Sequence, residues 1–409
     1  MSAGYSRPWP ALEPADGASR PARIAVVITR LEGGAGTLAV RGAVGMDPAA
    51  FELTIITGSG GELVAEAQAA GLEVVTEPLL RRPIDPRSDI AATRRLAALF
   101  SRRGFDVVHT HTSKAGTVGR IAARQAGVAR IVHTYHGFPF HEFQSAVRRQ
   151  AYVAVERRLG RITDVALCVG AGVAAEAVRR RLIQPERVRT IGVVVDGPSA
   201  TAASMNARSP QARARARLAL GLPADAAVVG AVGRLTRQKA PEDFLAAMAL
   251  LDRPGAVGVW VGGGELAGRV RRIAADLTGT RVLLPGERSD VLDLLPAFDV
   301  FALPSLYEGL PTAIVEAMVC GVPVVATAVN AVPDLVIPGE TGLLVPARRP
   351  ELLAAAVRYL LDSPQTAIGL ADAARARIGG RYSQLALRDA LTRAYLPAAG
   401  TDNFAAVSR

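Results

Sequence analysis

Val300-Phe-Ala-Leu-Pro-Ser-Leu-Tyr-Glu-Gly-Leu-Pro-Thr-Ala-Ile-Val-Glu316 decides the fold. Its first four residues form an apolar run of strand length. Pro, Ser and Gly then break the pattern, and a helix opens at Pro311 or Thr312, where proline's fixed φ suits the first turn. A buried strand, a short loop and a helix make the repeating unit of a parallel sheet. The same grammar predicts strands at 228–232, 257–261, 282–284, 300–303 and 323–326, with helices near 242–251, 266–277 and 312–319. Toward the N-terminus it predicts strands at 23–29, 53–57, 73–76, 106–112, 130–136 and 164–169, with helices including 62–70, 90–103 and 113–126. Between the two series, residues 197–220 hold no strand-like run and many small or basic residues, as an interdomain linker would. The expected organisation is a disordered tail at 1–22, α/β domains at 23–196 and 221–396, and a flexible tail at 397–409. In open parallel sheets ligands bind beyond the carboxyl ends of the strands. Two doubly wound sheets facing each other would enclose a cleft lined by those loops.

Composition bounds the function. The 409 residues suffice for two domains with cores of their own, and half are hydrophobic. Cys168 and Cys320 cannot make a disulfide framework or a Cys-rich zinc site, so a reducing compartment is expected. The formal charge is +11, from 48 basic and 37 acidic residues, and Lys114 and Lys239 are the only lysines. So strong a bias to arginine reads as codon composition, and no nucleic-acid partner is expected. The excess charge lies in the first half and would suit an anionic membrane surface or anionic substrates. The first 22 residues lack the apolar stretch of a signal peptide, and the longest uncharged run, 317–333, is too short and too broken to span a bilayer.

Three segments at predicted strand ends could carry chemistry. Glu308 and Glu316 flank a helix start whose backbone N–H groups favour an anion. Carboxylates so placed would be repelled by the anion itself and instead suit hydroxyl donors, such as a sugar and a ribose. After the strand at 228–232 comes Gly233-Arg-Leu-Thr-Arg-Gln-Lys239, in which Arg234 and Lys239 can meet a polyphosphate, one as a fork and one as a point charge. Gly262-Gly263-Gly264-Glu265 opens a helix in a way that lets a nucleotide approach the backbone. All five histidines, His109, His111, His133, His136 and His141, fall between 109 and 141, and two neighbouring strand ends would present imidazoles as a polar wall. No acidic or cysteine residue shows zinc-ligand spacing with them. Gly34-Ala-Gly36-Thr-Leu-Ala39 mimics a dinucleotide fingerprint, but the second strand ends at Thr57-Gly58 without the acidic residue a ribose needs.

Taken together the segments resemble family 4 of the retaining nucleotide-sugar glycosyltransferases, over residues 23–395. The resemblance runs through the three segments above, Pro304-Ser-Leu-Tyr-Glu308, Ala317-Met-Val-Cys-Gly-Val-Pro-Val-Val325 and Thr341-Gly-Leu-Leu-Val345. His109-Thr-His-Thr-Ser-Lys-Ala-Gly116 and His133-Thr-Tyr-His-Gly-Phe-Pro-Phe-His-Glu142 are similar to the subgroup that builds bacterial capsular and other surface polysaccharides. The resemblance implies the GT-B fold of two facing Rossmann-like, doubly wound parallel-sheet domains with an interdomain cleft. It implies that Arg234 and Lys239 grip the donor diphosphate, Glu316 the ribose and Glu308 the sugar hydroxyls. Gly233, Gly263, Gly309, Leu310 and Pro311 would complete the donor site. His136 would line the sugar pocket, Gly33 and Gly34 would approach the phosphates or the acceptor, and His109, His111 and Lys114 would lie on the acceptor side. No metal or other cofactor is implied.

Three features depart from that pattern and one adds to it. Ala240 stands where a glycine commonly follows the lysine, Asn330-Ala331 replaces a frequent Gly-Gly, and the aromatic expected after Val195-Asp196 is absent. Residues 145–161 set Arg148, Arg149, Arg157 and Arg158 beside Val147, Tyr152, Val153, Val155 and Leu159, a basic amphipathic layout suited to peripheral membrane docking. The expectation is therefore a cytoplasmic enzyme at the inner face of the membrane, moving a sugar from a UDP-sugar to a lipid-linked or surface-glycan acceptor. A nucleotide-sugar epimerase and a nucleotide-sugar-binding module are the alternatives.

Overall fold

The structure, a computed structural model, describes residues 20–141, 143–195 and 198–396. They form two compact units, each around one parallel sheet. The first sheet contains β1 (Ala22–Arg30), β2 (Phe51–Ser59), β3 (Glu73–Thr76), β4 (Val107–His111), β5 (Arg130–Tyr135), β6 (Val165–Cys168) and β7 (Val188–Thr190), in the order β3-β2-β1-β4-β5-β6-β7. The second contains β8 (Val228–Val232), β9 (Val257–Val261), β10 (Arg281–Gly286), β11 (Val300–Leu303), β12 (Val324–Thr327) and β13 (Leu343–Val345), in the order β10-β9-β8-β11-β12-β13. Both are Rossmann-like orders, and strand order reverses between β1 and β4 and between β8 and β11. Those two switch points are where a ligand is expected.

The central strands β4 and β11 are buried along their whole length, because helices cover both faces of each sheet. One core packs Val27, Ile56, Leu96, Phe100 and Val108; the other packs Phe244, Met248, Trp260, Val300 and Leu353. At roughly 1.5–3 kcal/mol per fully buried large apolar side chain, such clusters supply the main drive for each unit to fold.

Three boundaries differ from the expectation. The span expected to be a linker carries helices Pro198–Met205 and Pro210–Ala219, both within the second unit. Ser209 caps the second of these through Ala212 N–H, and Arg213 and Arg217 pair with Asp299 at 2.6 and 3.0 Å. The small and basic residues there are helix formers, and three of their four arginines pair with carboxylates, Arg213 and Arg217 with Asp299 and Arg208 with Asp372. The last helix, Gln384–Tyr395, was expected in the second domain but belongs to the first unit. Tyr395 shares a hydrogen bond with His109 at 2.8 Å and packs edge-on against Phe51, and Arg130 donates to the Ala394 carbonyl. At the other end the tail expected through residue 22 stops earlier: Arg20 forks onto Asp106 with two bonds of 2.8 Å, and β1 begins at Ala22. The remainder of that tail, the 397–409 tail, Glu142 and Asp196 lie outside the described residues.

Candidate functional site

In the second unit the loops after β8, β9 and β11 interlock at the carboxyl end of the sheet. Gly233 N–H donates to the Val261 carbonyl, Leu235 N–H to Gly263, and Leu306 N–H to Gln238. Trp260 fixes the first turn from below, its indole N–H donating to the Gly233 carbonyl at 2.8 Å. Gly262 has φ +139°, and a Cβ there would sit 2.2 Å from the Gly233 oxygen, so only glycine lets the two loops approach.

This frame joins residues distant in sequence. Lys239 donates to Glu308 at 2.6 Å, and their side chains are 15% and 5% exposed. A buried carboxylate must be paired or become neutral, and the ammonium supplies the pairing. Gln238 donates to the Tyr307 carbonyl at 3.0 Å and reaches the second Glu308 oxygen at 3.4 Å. Glu308 N–H is taken by Asn330 Oδ1 at 2.8 Å. Asn330 has φ +46°, a left-handed conformation that asparagine tolerates better than most residues, so the replacement of a frequent glycine keeps the turn and adds a side chain that holds Glu308. Ala240 also lies at positive φ, +49°, where a glycine would sit without strain.

Beyond Glu308, Pro311 precedes helix Thr312–Val319, which has no side-chain cap and no acidic residue in its first turn. Its N-terminal dipole is therefore unquenched. Leu310 and Pro311 are buried, Gly309 and Glu316 half-buried, and Arg234 is exposed. Glu316 lies one turn into that helix. Arg234 and Arg237 are close enough to Tyr307 to act on its phenol electrostatically, against the burial and the Glu308 charge that raise its pKa. Gly233, Arg234, Lys239, Gly263, Glu308, Gly309, Leu310, Pro311 and Glu316 thus lie on loops and a helix start at the carboxyl end of one sheet. Gln238, Trp260 and Asn330 had carried no signal of a site role beyond the Asn330 departure.

In the first unit the histidines divide by environment. His109 is 1% exposed, and both ring nitrogens are used, by Tyr395 at 2.8 Å and Thr134 at 2.7 Å. It is a core residue with no nitrogen left for a ligand, which removes it from the expected acceptor side. His133 bonds Thr110 at 2.8 Å, packed where Gly116 leaves room for its ring. His111 Nδ1 and His136 Nε2 share a bond of 2.9 Å, while buried His111 Nε2 has no protein partner and its ring borders a cavity with space for about one water. Burial lowers the pKa of His109 to about 3 and that of His136 to about 4; burial and the neighbouring imidazoles hold His111, and burial and Arg120 hold His133, well below the usual range. All four rings are neutral at pH 7.

Gly33 and Gly34 are exposed and open helix Gly33–Val44, which also lacks a side-chain cap and an acidic first turn. Lys114, second residue of helix Ser113–Gln125, donates to both oxygens of Asp89 at 2.6 Å. Helix Ala146–Gly160 departs from the simple amphipathic reading. Val153 and Leu159 are buried in the unit, and Glu156 is buried with Arg120, leaving Arg148, Arg157 and Arg158 exposed around Val147 and Val155. Among the described residues no helix is long and apolar enough to cross a membrane, and no three His, Cys, Asp or Glu side chains gather as a metal site.

Residues 226–363 match the model for glycosyl transferases group 1, and residues 32–196 match that for glycosyltransferase family 4. Similar proteins include the UDP-Gal:alpha-D-GlcNAc-diphosphoundecaprenol alpha-1,3-galactosyltransferase of Escherichia coli, 34% identical over 62% of this chain and 65% of that one, just under two thirds of its length. The D-inositol 3-phosphate glycosyltransferase of Thermobispora bispora is 30% identical over 76% of this chain and 75% of its own. Among solved structures, Anabaena HepE in complex with UDP and glucose superposes with a TM-score of 0.78 at 21% identity, covering 91% of this chain and 98% of that one. WaaG, a glycosyltransferase involved in lipopolysaccharide biosynthesis, superposes with a TM-score of 0.72 at 17% identity, covering 92% and 100%. Both share the fold.

Proposed function

Because the chain belongs to the family 4 glycosyltransferases, we propose that it moves a sugar from a UDP-sugar to a lipid-linked acceptor of a bacterial surface glycan, with retention and without a metal. The observation that carries this reading is the buried Lys239–Glu308 pair, held by Asn330 and Gln238 beside the uncapped start of helix Thr312–Val319. The named acceptors of the two relatives, a diphosphoundecaprenol-linked sugar and an inositol phosphate, both carry phosphate, and this supports an acceptor of that kind here.

In the proposed mechanism the donor diphosphate lies against Arg234, Lys239 and the helix terminus, with backbone N–H groups of Gly309 and Leu310. Glu316 accepts from the ribose and Glu308 from the sugar hydroxyls. As the bond from C1 to the diphosphate oxygen breaks, negative charge grows on the leaving group, and two cations and a helix dipole already in place stabilise it. The acceptor oxygen bonds to C1 on the same face and its proton passes to the departing diphosphate, so no protein base is needed. Arginines around exposed Val147 and Val155 would hold the enzyme peripherally on anionic lipid at the inner membrane face.

The test is incubation with UDP-galactose and GlcNAc-diphosphoundecaprenol, with and without EDTA. Acceptor-dependent UDP release that survives EDTA, with the anomeric configuration kept in the product, supports the proposal. Sugar interconversion without acceptor would identify an epimerase, and binding without turnover a binding module. A thermal-shift screen of UDP-, GDP- and ADP-sugars reads the donor base through ligand stabilisation.

A further inference from the structure

We infer that Lys114 binds a phosphate group of the acceptor, its ammonium held in place by Asp89. This rests on the glycosyltransferase reading above and adds the residue that reads the acceptor's charge.

The composition gives the first reason. Arginine fills 46 of the 48 basic positions, so wherever a positive charge alone suffices this chain uses arginine. Lysine survives at two positions. Both are mostly buried, both lie 2.6 Å from a carboxylate, and both stand past the carboxyl end of a strand at a point where strand order reverses: Lys239 after β8 and Lys114 after β4. The Lys114 and Asp89 side chains are 11% and 24% exposed.

A purely structural staple between helices Pro86–Arg103 and Ser113–Gln125 would not require lysine. A guanidinium grips a carboxylate with two parallel bonds, as Arg20 does with Asp106 and Arg208 with Asp372. What lysine offers instead is a compact charge with three rotatable donors. Two point at the Asp89 oxygens, so the third can serve an anion while the pair stays intact.

The backbone around Lys114 is set for such a contact. Its helix has no side-chain cap and no acidic residue in the first turn, so the dipole adds to the ammonium. Thr112, just before the helix, has φ +64° and ψ +160°, a conformation that is essentially glycine's alone. Thr29 holds it there: the two hydroxyls lie 3.0 Å apart, and Ala115 N–H donates to Thr29 at 3.3 Å. This strained, braced turn fixes where Lys114 leaves the backbone.

Two lysines make a direct test possible. Full-length protein made with 13C-lysine gives two side-chain ε-methylene signals in a carbon-proton correlation spectrum, assigned with Lys114→Arg. UDP is added to saturation, then farnesyl diphosphate or inorganic diphosphate. UDP is expected to move the Lys239 signal, and the second addition the Lys114 signal. A response to both diphosphates assigns the site to phosphate itself; a response to farnesyl diphosphate alone assigns it to the lipid-linked anion. In turnover, Lys114→Arg should raise the KM for GlcNAc-diphosphoundecaprenol at least tenfold and leave the melting temperature unchanged. The inference is overturned if UDP moves Lys239 while neither diphosphate moves Lys114, or if Lys114→Arg and Lys114→Gln lower thermal stability and leave acceptor KM as it was. Failure of UDP to move Lys239 counts against the donor assignment instead, and is read separately.

Discussion

Replacing Arg120 by methionine should destabilise the first unit by about 3–5 kcal/mol. Arg120 is fully buried in helix Ser113–Gln125 and donates to the Gly116 carbonyl at 2.7 Å, Thr163 at 3.4 Å and Glu156 at 2.9 Å. Glu156, itself 3% exposed along its side chain, also accepts from the Tyr135 hydroxyl at 3.0 Å. Methionine fills much of the same volume, so the loss is chiefly electrostatic. The Glu156 carboxylate would be left in the core with one phenol for company, and must either stay charged without compensation or take up a proton. For a unit of roughly 200 residues, about 2–4 °C per kcal/mol converts this to a melting shift of about 6–20 °C. Differential scanning calorimetry is the suitable assay, and the loss is expected in the unfolding of the first unit. Glu156→Gln should cost a similar amount by stranding the guanidinium. The double variant Arg120→Met with Glu156→Leu should recover most of the loss, since a buried pair is worth little against well-packed apolar groups. Single losses under about 1 kcal/mol, or a double variant whose loss is the sum of the singles, would refute this account of the pair.

Acid should destabilise the chain well before its carboxylates protonate. The folded-state pKa of His109 is lowered to about 3 from an ordinary value near 6.5, so between those values the unfolded chain binds more protons, and this stability, complete above pH 6.5, is lost on acidification at about 1.4 kcal/mol per pH unit. Urea midpoints at pH 7 and pH 5 should therefore differ, and equal midpoints would contradict burial of a neutral ring. Lys239→Ala and Glu308→Gln should each reduce kcat by at least about 100-fold with the fold retained by circular dichroism, the scale of a lost electrostatic contact to a transition state. Full turnover in either variant removes that residue from the mechanism. Asn330→Ala loses both the acceptor for Glu308 N–H and asparagine's tolerance of positive φ, and should cost kcat/KM about tenfold, with Asn330→Gly less affected. Equal loss in the two would put the effect on the hydrogen bond alone.

The strand series is legible because buried parallel strands are short continuous apolar runs between turn residues, and every predicted run is a strand. Runs at the sheet margins were harder to read. Val188–Thr190 and Leu343–Val345 are three residues each and only partly buried, so they carry little apolar pattern. Apolar periodicity shows that a helix has a buried face but not which sheet it covers, so the span 221–396 reads as one domain although helix Gln384–Tyr395 belongs to the first unit. The Ser209-Pro210 helix start is present in the sequence, but the absence of strand-like runs around it reads as a linker. At the site, Lys239 and Glu308 could be named because charge next to a strand end is conspicuous. Asn330 could not be given its role, since the bond it makes spans 22 residues and depends on the left-handed turn that aims it. His109 shows the converse limit: a histidine at a strand end looks exposed until its hydroxyl neighbours are known.

The return of the last helix to the first unit has a consequence for biosynthesis. That unit's sheet is complete by Thr190, yet Tyr395, which satisfies His109, is made after all of the second unit. At ribosomal speeds of about 5–20 residues per second, the wait between the two is about 10–40 s. The order of completion is therefore the reverse of the order of synthesis: the second unit has all of its residues by Ser383, whereas the first lacks helix Gln384–Tyr395 until after that. A nonsense codon ahead of Gln384 would consequently damage the amino-terminal unit and spare the one beside it.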